Sequence, residues 1–211
     1  LFAEYLHTNL ASRDFLVAGT TYRVGGLAAA LISLTSREDL DQIVASLRGV
    51  NPIFVLGNGS NTLVADAGFP GVVLSLSGEF EELAIEELGD GSFRVRTGAA
   101  LDLPVAARRL AEAGIGGFAW AVGVPGTFGG AAVMNAGGHG SDMAHAVESV
   151  EVWRLDEGRI ESWPLERLQY GYRHSALSSR DVVVSVTLHL PASSRDETVE
   201  EMREIVRWRR E

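Results

Sequence analysis

The chain has 211 residues, of which 46% are hydrophobic and 22% charged, a globular composition that excludes collagen, coiled coil and disorder. With 18 basic and 28 acidic residues its net charge is −10, which disfavours broad contact with the phosphate backbone of nucleic acid. An acidic chain can still bind a phosphorylated ligand through backbone N–H groups.

Cysteine is absent, which excludes disulfides, thiolate nucleophiles and cysteine-ligated metals. The five histidines lack the spacing of a metal site, so we expect none. Residues 1–9 contain no basic cluster, and the longest apolar run, residues 27–34, is too short to span a bilayer. We therefore expect a cytoplasmic protein without a signal peptide, a membrane partner or a nucleic-acid partner.

The first third of the chain predicts a strand–helix–strand unit. Residues 28–34 are apolar and predict a buried strand, and Ser36 with Asp39 predicts a capped helix that continues through Leu47. Residues 53–56 predict a second short strand that ends directly in a glycine loop. Ligand-binding loops favour that position.

The middle of the chain predicts strands at 71–76, 79–88 and 93–97, the last two joined by a turn at 89–91. Residues 103–113 predict a helix, with a proline near its start and a glycine after its end.

The second half predicts a hairpin of residues 147–155 and 159–163, a β-branched strand at 181–190 and a helix at 198–210. Ten of the 24 glycines lie between residues 114 and 140, where we predict loops that expose backbone instead of side chains. The fold class predicted is α+β with two closely joined lobes.

The first candidate site is the loop 57–61 (GNGSN). Its two glycines let backbone N–H groups converge on a pyrophosphate, and Ser60 and Asn61 add uncharged hydrogen-bonding side chains. Thr62 stands where a dinucleotide fingerprint has its third glycine, so the loop is not of the Rossmann type. A plain strand-exit turn is the alternative.

The second candidate site comprises residues 123–130 (GVPGTFGG) and 134–140 (MNAGGHG), where glycines permit a close approach of backbone to a ligand. Two unrelated loops are the alternative. The third is residues 170–175 (YGYRHS), whose Arg173 is a forked cation suited to a carboxylate or an enolate-like oxygen, or else a surface arginine. Asp142 and His145 are expected to form a local polar contact.

In order and spacing, these segments resemble one family, the UDP-N-acetylenolpyruvoylglucosamine reductases (MurB). The resemblance covers nearly the whole chain and rests on Asn9 and the segments 20–26 (TTYRVGG), 55–61 (VLGNGSN), 66–71 (DAGFPG), 125–130 (PGTFGG), 135–137 (NAG) and 172–175 (YRHS).

The resemblance implies an FAD-binding fold of the vanillyl-alcohol-oxidase (PCMH) type, with a first lobe at residues 1–77 and a second at 78–211. It implies that NADPH reduces FAD and that the hydride then passes to a UDP-sugar, UDP-N-acetylglucosamine enolpyruvate, in peptidoglycan precursor synthesis. No particular oligomeric state is predicted.

The resemblance also implies roles for single residues. Arg173 polarises the carboxylate of the enolpyruvyl group as the catalytic residue, and Tyr172 joins it in binding the substrate. The residues implied to bind FAD are Tyr22, Arg23, Leu56, Gly57, Asn58, Gly59, Ser60, Asn61, Val124, Pro125, Gly126, Thr127, Gly129, Gly130, Asn135, Ala136, Gly137 and His139.

The chain departs from the family pattern in two places. His139 stands where the family has a tyrosine, and the chain stops at Glu211, before the family's third domain with its serine proton donor and late glutamate. We therefore expect this chain to bind FAD without completing the reaction. The alternatives are an FAD-linked oxidase of a small alcohol or sugar lactone, and a non-catalytic flavin-binding module.

Overall fold

The computed structural model describes residues 19–210. Residues 1–9, for which we predicted no signal peptide, and Glu211 lie outside the described residues. Short 3₁₀ helices occur at Gly78–Glu81, Ala119–Gly123 and Met143–His145. The remaining elements are β1 (Ala28–Leu34), α1 (Arg37–Leu47), β2 (Ile53–Leu56), β3 (Phe69–Leu76), β4 (Leu83–Glu87), β5 (Ser92–Gly98), α2 (Leu103–Glu112), α3 (Phe128–Met134), β6 (Gly137–Gly138), β7 (Ser141–Asp142), β8 (Val147–Arg154), β9 (Arg159–Pro164), α4 (Leu165–Leu168), β10 (Asp181–Pro191) and α5 (Arg195–Trp208).

The first sheet is parallel, with the strand order β1-β3-β2. Helix α1 begins after Ser36, whose hydroxyl accepts a hydrogen bond from the Asp39 N–H while the Asp39 carboxylate accepts one from the Ser36 N–H. The predicted strand–helix–strand unit is confirmed, but β3 lies between its two strands. Because the strands are parallel, their carboxyl ends share one edge, and the loop 57–61 leaves the sheet there.

The second sheet is antiparallel, with the order β4-β5-β10-β8-β9. Both predicted hairpins, β4 with β5 and β8 with β9, are confirmed. The predicted strand at 79–88 is wrong in its first part, because Gly78–Glu81 forms a 3₁₀ helix. That turn buries Phe80, and the Phe80 carbonyl accepts a hydrogen bond from the Ala100 N–H.

Two helices differ from their predictions. Helix α3 lies in the stretch that we predicted as loops, and it forms because Phe128 is fully buried and stacks on Phe118, with 5.5 Å between ring centroids. Helix α5 begins three residues earlier than predicted and ends at Trp208. No helix between residues 19 and 210 is long and apolar enough to cross a membrane.

The two sheets share one buried core. Its members come from both sheets, from α1, from the 3₁₀ helix at Gly78–Glu81 and from the residue after β8: Ile32, Leu34, Leu40, Ile43, Leu47, Ile53, Leu74, Phe80, Trp153, Leu155, Val182 and Val184. The division into lobes at residue 77 stays a prediction.

Glu151 on β8 ties α1 to the second sheet. Its Oε2 lies 2.6 Å from Arg37 Nη2 on α1 and also accepts hydrogen bonds from Arg96 and Ser185. Burial raises the pKa of this carboxyl, but the hydrogen bonds from Ser185, Arg37 and Arg96 outweigh burial and lower the pKa to about 2.

We expect Glu151→Gln to lower the free energy of unfolding at pH 7 by about 1–2 kcal/mol, allowing for solvent screening. The pKa is lower in the folded than in the unfolded chain, so this stabilisation is complete above pH 4.5 and is lost as the pH falls towards 2. Urea unfolding at pH 7 and pH 3 measures the difference, which should shrink at pH 3. Glu148→Gln, which loses a partner of Arg94 within the second sheet, is the control. An equal loss in free energy of unfolding at pH 7 and pH 3 would contradict the lowered pKa assigned to Glu151.

Candidate functional site

A cavity of about 600 Å³ lies between the two sheets. Its walls come from β2 and the loop 57–61, from the segment 124–134, and from the start of β10. Among the described residues that line it, only Arg173 and Asp181 are charged. Asp181 is already paired, with its Oδ1 2.6 Å from Arg154 Nε. Among the described residues, an anionic ligand in this cavity can therefore meet uncharged hydrogen-bond donors and one cation, Arg173.

The loop 57–61 provides such donors. Among residues 19–210, none accepts a hydrogen bond from the backbone N–H of residues 58 to 61. Gly59 has a φ of +59°, and its carbonyl accepts hydrogen bonds from the N–H groups of Thr21 and Thr62. The protein thus holds the carbonyl, while within residues 19–210 the consecutive N–H groups remain available to a ligand.

The two predicted glycine loops meet across the cavity. The Asn58 side-chain amide donates to the Asp102 carboxylate, and Ser60 Oγ donates to the Pro125 carbonyl over 3.1 Å. A Cβ on Gly57 would lie 2.5 Å from Thr127 Oγ1, so only glycine allows this approach. The structure therefore joins two segments that are more than 60 residues apart in the chain into one surface.

In the second loop, the N–H groups of Phe128 and Gly129 are bound within the protein. The Phe128 N–H donates to the Leu101 carbonyl over 3.0 Å, and the Gly129 N–H donates to the Ala99 carbonyl over 2.8 Å. These bonds attach the start of α3 to the end of β5 and leave neither group for a ligand. Gly130 instead exposes an open face, where an added Cβ would meet only Thr127 Oγ1 at 3.9 Å.

Gly59 packs closely against residues 19–20. A Cβ there would overlap the Gly19 carbonyl and lie 2.7 Å from Thr20 Cα. A valine at position 59 would therefore displace residues 19–20 and force a β-branched residue into the left-handed region.

Arg173 lies on a tight turn at the cavity. Gly171 and His174 exchange backbone hydrogen bonds of 3.0 and 3.2 Å, so Tyr172 and Arg173 form the tip. Arg173 has a φ of +53°, a conformation that costs a non-glycine residue about 1–2 kcal/mol. Such strain is typical of functional turns. Its guanidinium lies 5.8 Å from the centroid of the Tyr172 ring.

Most of the site residues named in the sequence analysis line this one cavity. They are Leu56, Gly57, Asn58, Gly59, Ser60, Asn61, Val124, Pro125, Gly126, Thr127, Gly129, Gly130, Ala136 and Arg173.

The other named residues do not line the cavity. Tyr22, Arg23 and Tyr172 are exposed, Asn135 is buried, and Gly137 pairs with Asp142 in the β6–β7 hairpin.

His139, at the tip of that hairpin, packs edge-on against Trp208 at 4.9 Å. The hairpin therefore contacts the end of α5, which nothing in the sequence indicated.

Sequence reasoning missed Asp102 and the segment 177–179. Asp102 precedes the first turn of α2, a common N-cap position, and this could have marked it as a loop anchor. Ser178 donates through its N–H and its hydroxyl to the Asp181 carboxylate, a local turn pattern that is visible in the sequence. Neither signal indicates a ligand by itself.

Comparison with known proteins identifies the class to which this fold and cavity belong. Residues 28–162 match the family described as FAD binding domain. This match includes the first glycine loop, the second glycine loop and most of both sheets. The chain belongs to the FAD binding domain family.

The most similar sequences narrow the comparison to one enzyme. The UDP-N-acetylenolpyruvoylglucosamine reductase of Synechococcus sp. strain WH7803 is 43% identical over 175 residues, which cover 81% of this chain and 55% of that protein. The reductase of Caulobacter vibrioides is 41% identical over 171 residues, with coverages of 81% and 55%. The chain thus spans about half the length of the curated relatives it matches.

Solved structures agree with the sequence relatives. The crystal structure of the same reductase from Thermus caldophilus has a TM-score of 0.78 and 36% identity, covering 92% of this chain and 67% of that one. Cholesterol oxidase from Brevibacterium sterolicum, at 14% identity, has a TM-score of 0.59 over 81% of this chain and 36% of its own, which shows the fold alone. The predicted α+β FAD-binding fold of the vanillyl-alcohol-oxidase type is confirmed.

Proposed function

We propose that this chain holds FAD in the cavity, as part of an enzyme that reduces UDP-N-acetylglucosamine enolpyruvate to UDP-N-acetylmuramate with NADPH. One observation carries the proposal: two glycine loops and Arg173, distant in sequence, line the same cavity, where the described residues include only one other charged group, Asp181. The sequence relatives, all named as reductases of this kind, support the choice of reaction.

The residues present fit a dinucleotide diphosphate. The N–H groups of residues 58–61 are the donors for its oxygens, because the described lining has no lysine and its one arginine, Arg173, lies on a different segment. Ser60 holds the two loops together through its bond to Pro125, and Asn58 attaches the first loop to Asp102 at the start of α2.

The other residues of the site have proposed roles that follow from their positions. The open face at Gly130 admits the ligand, with Leu56, Val124 and Thr127 beside it. By resemblance to the reductases, we assign contacts on the flavin side to Tyr22, Arg23, Ala136, Gly137 and His139, of which Ala136 lines the cavity.

FAD, when bound, supplies the centre that accepts hydride from NADPH and delivers it to the substrate. Hydride addition to an enol ether places negative charge on the adjoining carboxylate. Arg173 provides a fixed, forked cation for that carboxylate, and its exposed turn lets the guanidinium reach a ligand in the cavity. Tyr172, which is 93% exposed beside it, is the second substrate-binding residue in this proposal.

The proposal includes a small-molecule UDP-sugar as substrate and a cytoplasmic location, where nucleotide sugars and NADPH are found together. It also includes the division into two FAD-binding lobes at residue 77.

We expect the purified protein to be yellow, with noncovalent FAD that is released by acid precipitation. In full-length form and without oxygen, it should oxidise NADPH only when UDP-N-acetylglucosamine enolpyruvate is added, and mass spectrometry should detect UDP-N-acetylmuramate. Oxygen consumption with small alcohols or sugar lactones, and none of that product, would favour an oxidase. A colourless protein that takes up no added FAD would overturn both readings.

A further inference from the structure

Asn135 lies where α3 ends and is 5% exposed. Its φ of +42° and ψ of +56° place it in the left-handed region, which asparagine tolerates better than most residues. This conformation turns the chain away from the helix and into the β6–β7 hairpin. The side chain then points back among protein groups.

Protein groups occupy both N–H donors and the oxygen of the Asn135 side-chain amide. Its Nδ2 donates to the Gly171 carbonyl and to Asp142 Oδ2, each over 3.1 Å, and its Oδ1 accepts from the Ala144 N–H over 3.0 Å. The Ala144 N–H can only donate, which fixes the orientation of the amide. Both N–H donors are thus committed, and the side chain has none left to donate to a cofactor.

The Gly171 carbonyl begins the turn that carries Arg173. The far end of this turn is also attached to α3, because Ser175 Oγ donates to the Val133 carbonyl over 2.7 Å. Ser175 is buried, whereas Tyr172, Arg173 and His174 are exposed. The C-terminal end of α3 therefore holds both ends of the segment 171–175 that carries Arg173.

Helix α3 also starts at the second glycine loop, since Thr127 is its N-cap. Seven residues span about 10 Å of helix. One rigid element thus sets the distance between the loop that meets Gly57 and the turn that carries Arg173.

We propose that Asn135 is a positioning residue, which holds the Gly171 carbonyl so that Arg173 is presented to the cavity. This inference rests on the proposed role of Arg173. Asp142 supports Asn135 by accepting its second N–H, and Asp142 is itself held by His145, whose Nδ1 lies 2.6 Å from Asp142 Oδ1. That pair is the local polar contact predicted from the sequence.

The decisive variant is Asn135→Asp in the full-length protein. Aspartate keeps the shape, tolerates the left-handed region and still accepts from the Ala144 N–H. When ionised it cannot donate to Gly171 and it repels Asp142, so we expect kcat to fall by about 10²-fold at pH 8. The titratable and charged groups around it are Asp142, its partner His145 and Tyr170, with Arg173 and His174 on the turn that Asn135 contacts.

Protonation should partly restore the variant. A carboxylic acid has one O–H that can donate to the Gly171 carbonyl, and burial beside Asp142 favours this neutral form. The ratio of parent kcat to variant kcat should therefore fall to about 10 at pH 6, in line with the recovery of one of two hydrogen bonds. FAD affinity should match that of the parent.

Limited trypsin digestion gives a readout that needs no activity. The peptide bond after Arg173 should be cut several-fold faster in Asn135→Gly, which keeps the left-handed backbone but releases the turn. Thr198→Val, on α5 and away from the cavity, is the matched control, because it removes side-chain hydrogen bonds of 3.1 Å from the buried Thr198 hydroxyl to Ser193 Oγ and to the Ser194 carbonyl. It should change neither the cleavage nor the pH profile.

The outcomes separate this inference from the proposed function. Parental turnover in an Arg173 variant would overturn the role of Arg173 and this inference with it. A different pattern would overturn the inference alone, with Arg173 essential for turnover. In that pattern the ratio of parent kcat to Asn135→Asp kcat does not change between pH 8 and pH 6, and trypsin cuts Asn135→Gly at the parental rate. Asn135 would then not be a positioning residue. A loss of FAD affinity in Asn135→Asp, with unchanged cleavage in Asn135→Gly, would also overturn the inference in favour of a direct contact with the cofactor.

Discussion

Arg173→Gly should lower the turnover of the full-length protein about 10²–10³-fold, the usual effect of removing one group that stabilises developing negative charge. The same change should leave the free energy of unfolding within about 1 kcal/mol of the parent. Glycine relieves the strain of the left-handed backbone at a φ of +53°, but it also gives the unfolded chain more freedom. The two contributions oppose each other.

Gln169→Gly is a matched control for this variant. Gln169 is also exposed and left-handed, with a φ of +46°, and it does not line the cavity. We expect a similar change in stability and parental turnover. Steady-state kinetics with the enolpyruvyl substrate and urea unfolding measure the two effects. If both glycine variants kept parental turnover, Arg173 would have no part in the reaction.

Gly130→Leu should weaken FAD binding by about 1–3 kcal/mol, or roughly 10- to 100-fold in Kd, because the leucine fills space that the cofactor needs. The protein itself has room for the side chain, since a Cβ at Gly130 meets nothing closer than 3.9 Å. Replacing glycine in a helix also favours the folded chain by up to about 1 kcal/mol. The variant should therefore lose its cofactor without losing stability.

Equilibrium dialysis or fluorescence titration of the FAD-free protein gives Kd, and thermal unfolding without FAD gives stability. Gly130→Ala should have a smaller effect, in proportion to its size. Arg109→Leu, at an exposed position of α2 that does not line the cavity, tests whether an added surface leucine alone changes binding. Parental affinity in Gly130→Leu would mean that FAD binds elsewhere.

Features that depend on neighbours in the chain were predictable from sequence. The Ser36 capping box, the two hairpins and the β-branched strand β10 are local patterns, and the structure contains each of them. The glycine loops were also predictable as sites of close approach, because glycine at those densities exceeds what turns need. Even so, the segment Gly78–Glu81 forms a 3₁₀ helix and not the predicted strand, because the burial of Phe80 between the sheets outweighed the strand pattern of the segment.

The tertiary structure alone decided which of these local pieces face one another. The insertion of β3 between β1 and β2, the link from Asn58 to Asp102 and the helix at Phe128–Met134 all depend on contacts between residues far apart in the chain. The same holds for Asn135, whose neighbours suggested a cofactor loop but whose amide is bound to Gly171, 36 residues away. Hydrogen bonds and packing of this kind have no local periodicity. The sequence therefore determined which residues are suited to bind a phosphate or a carboxylate, and the packing of the two sheets determined that they share one cavity.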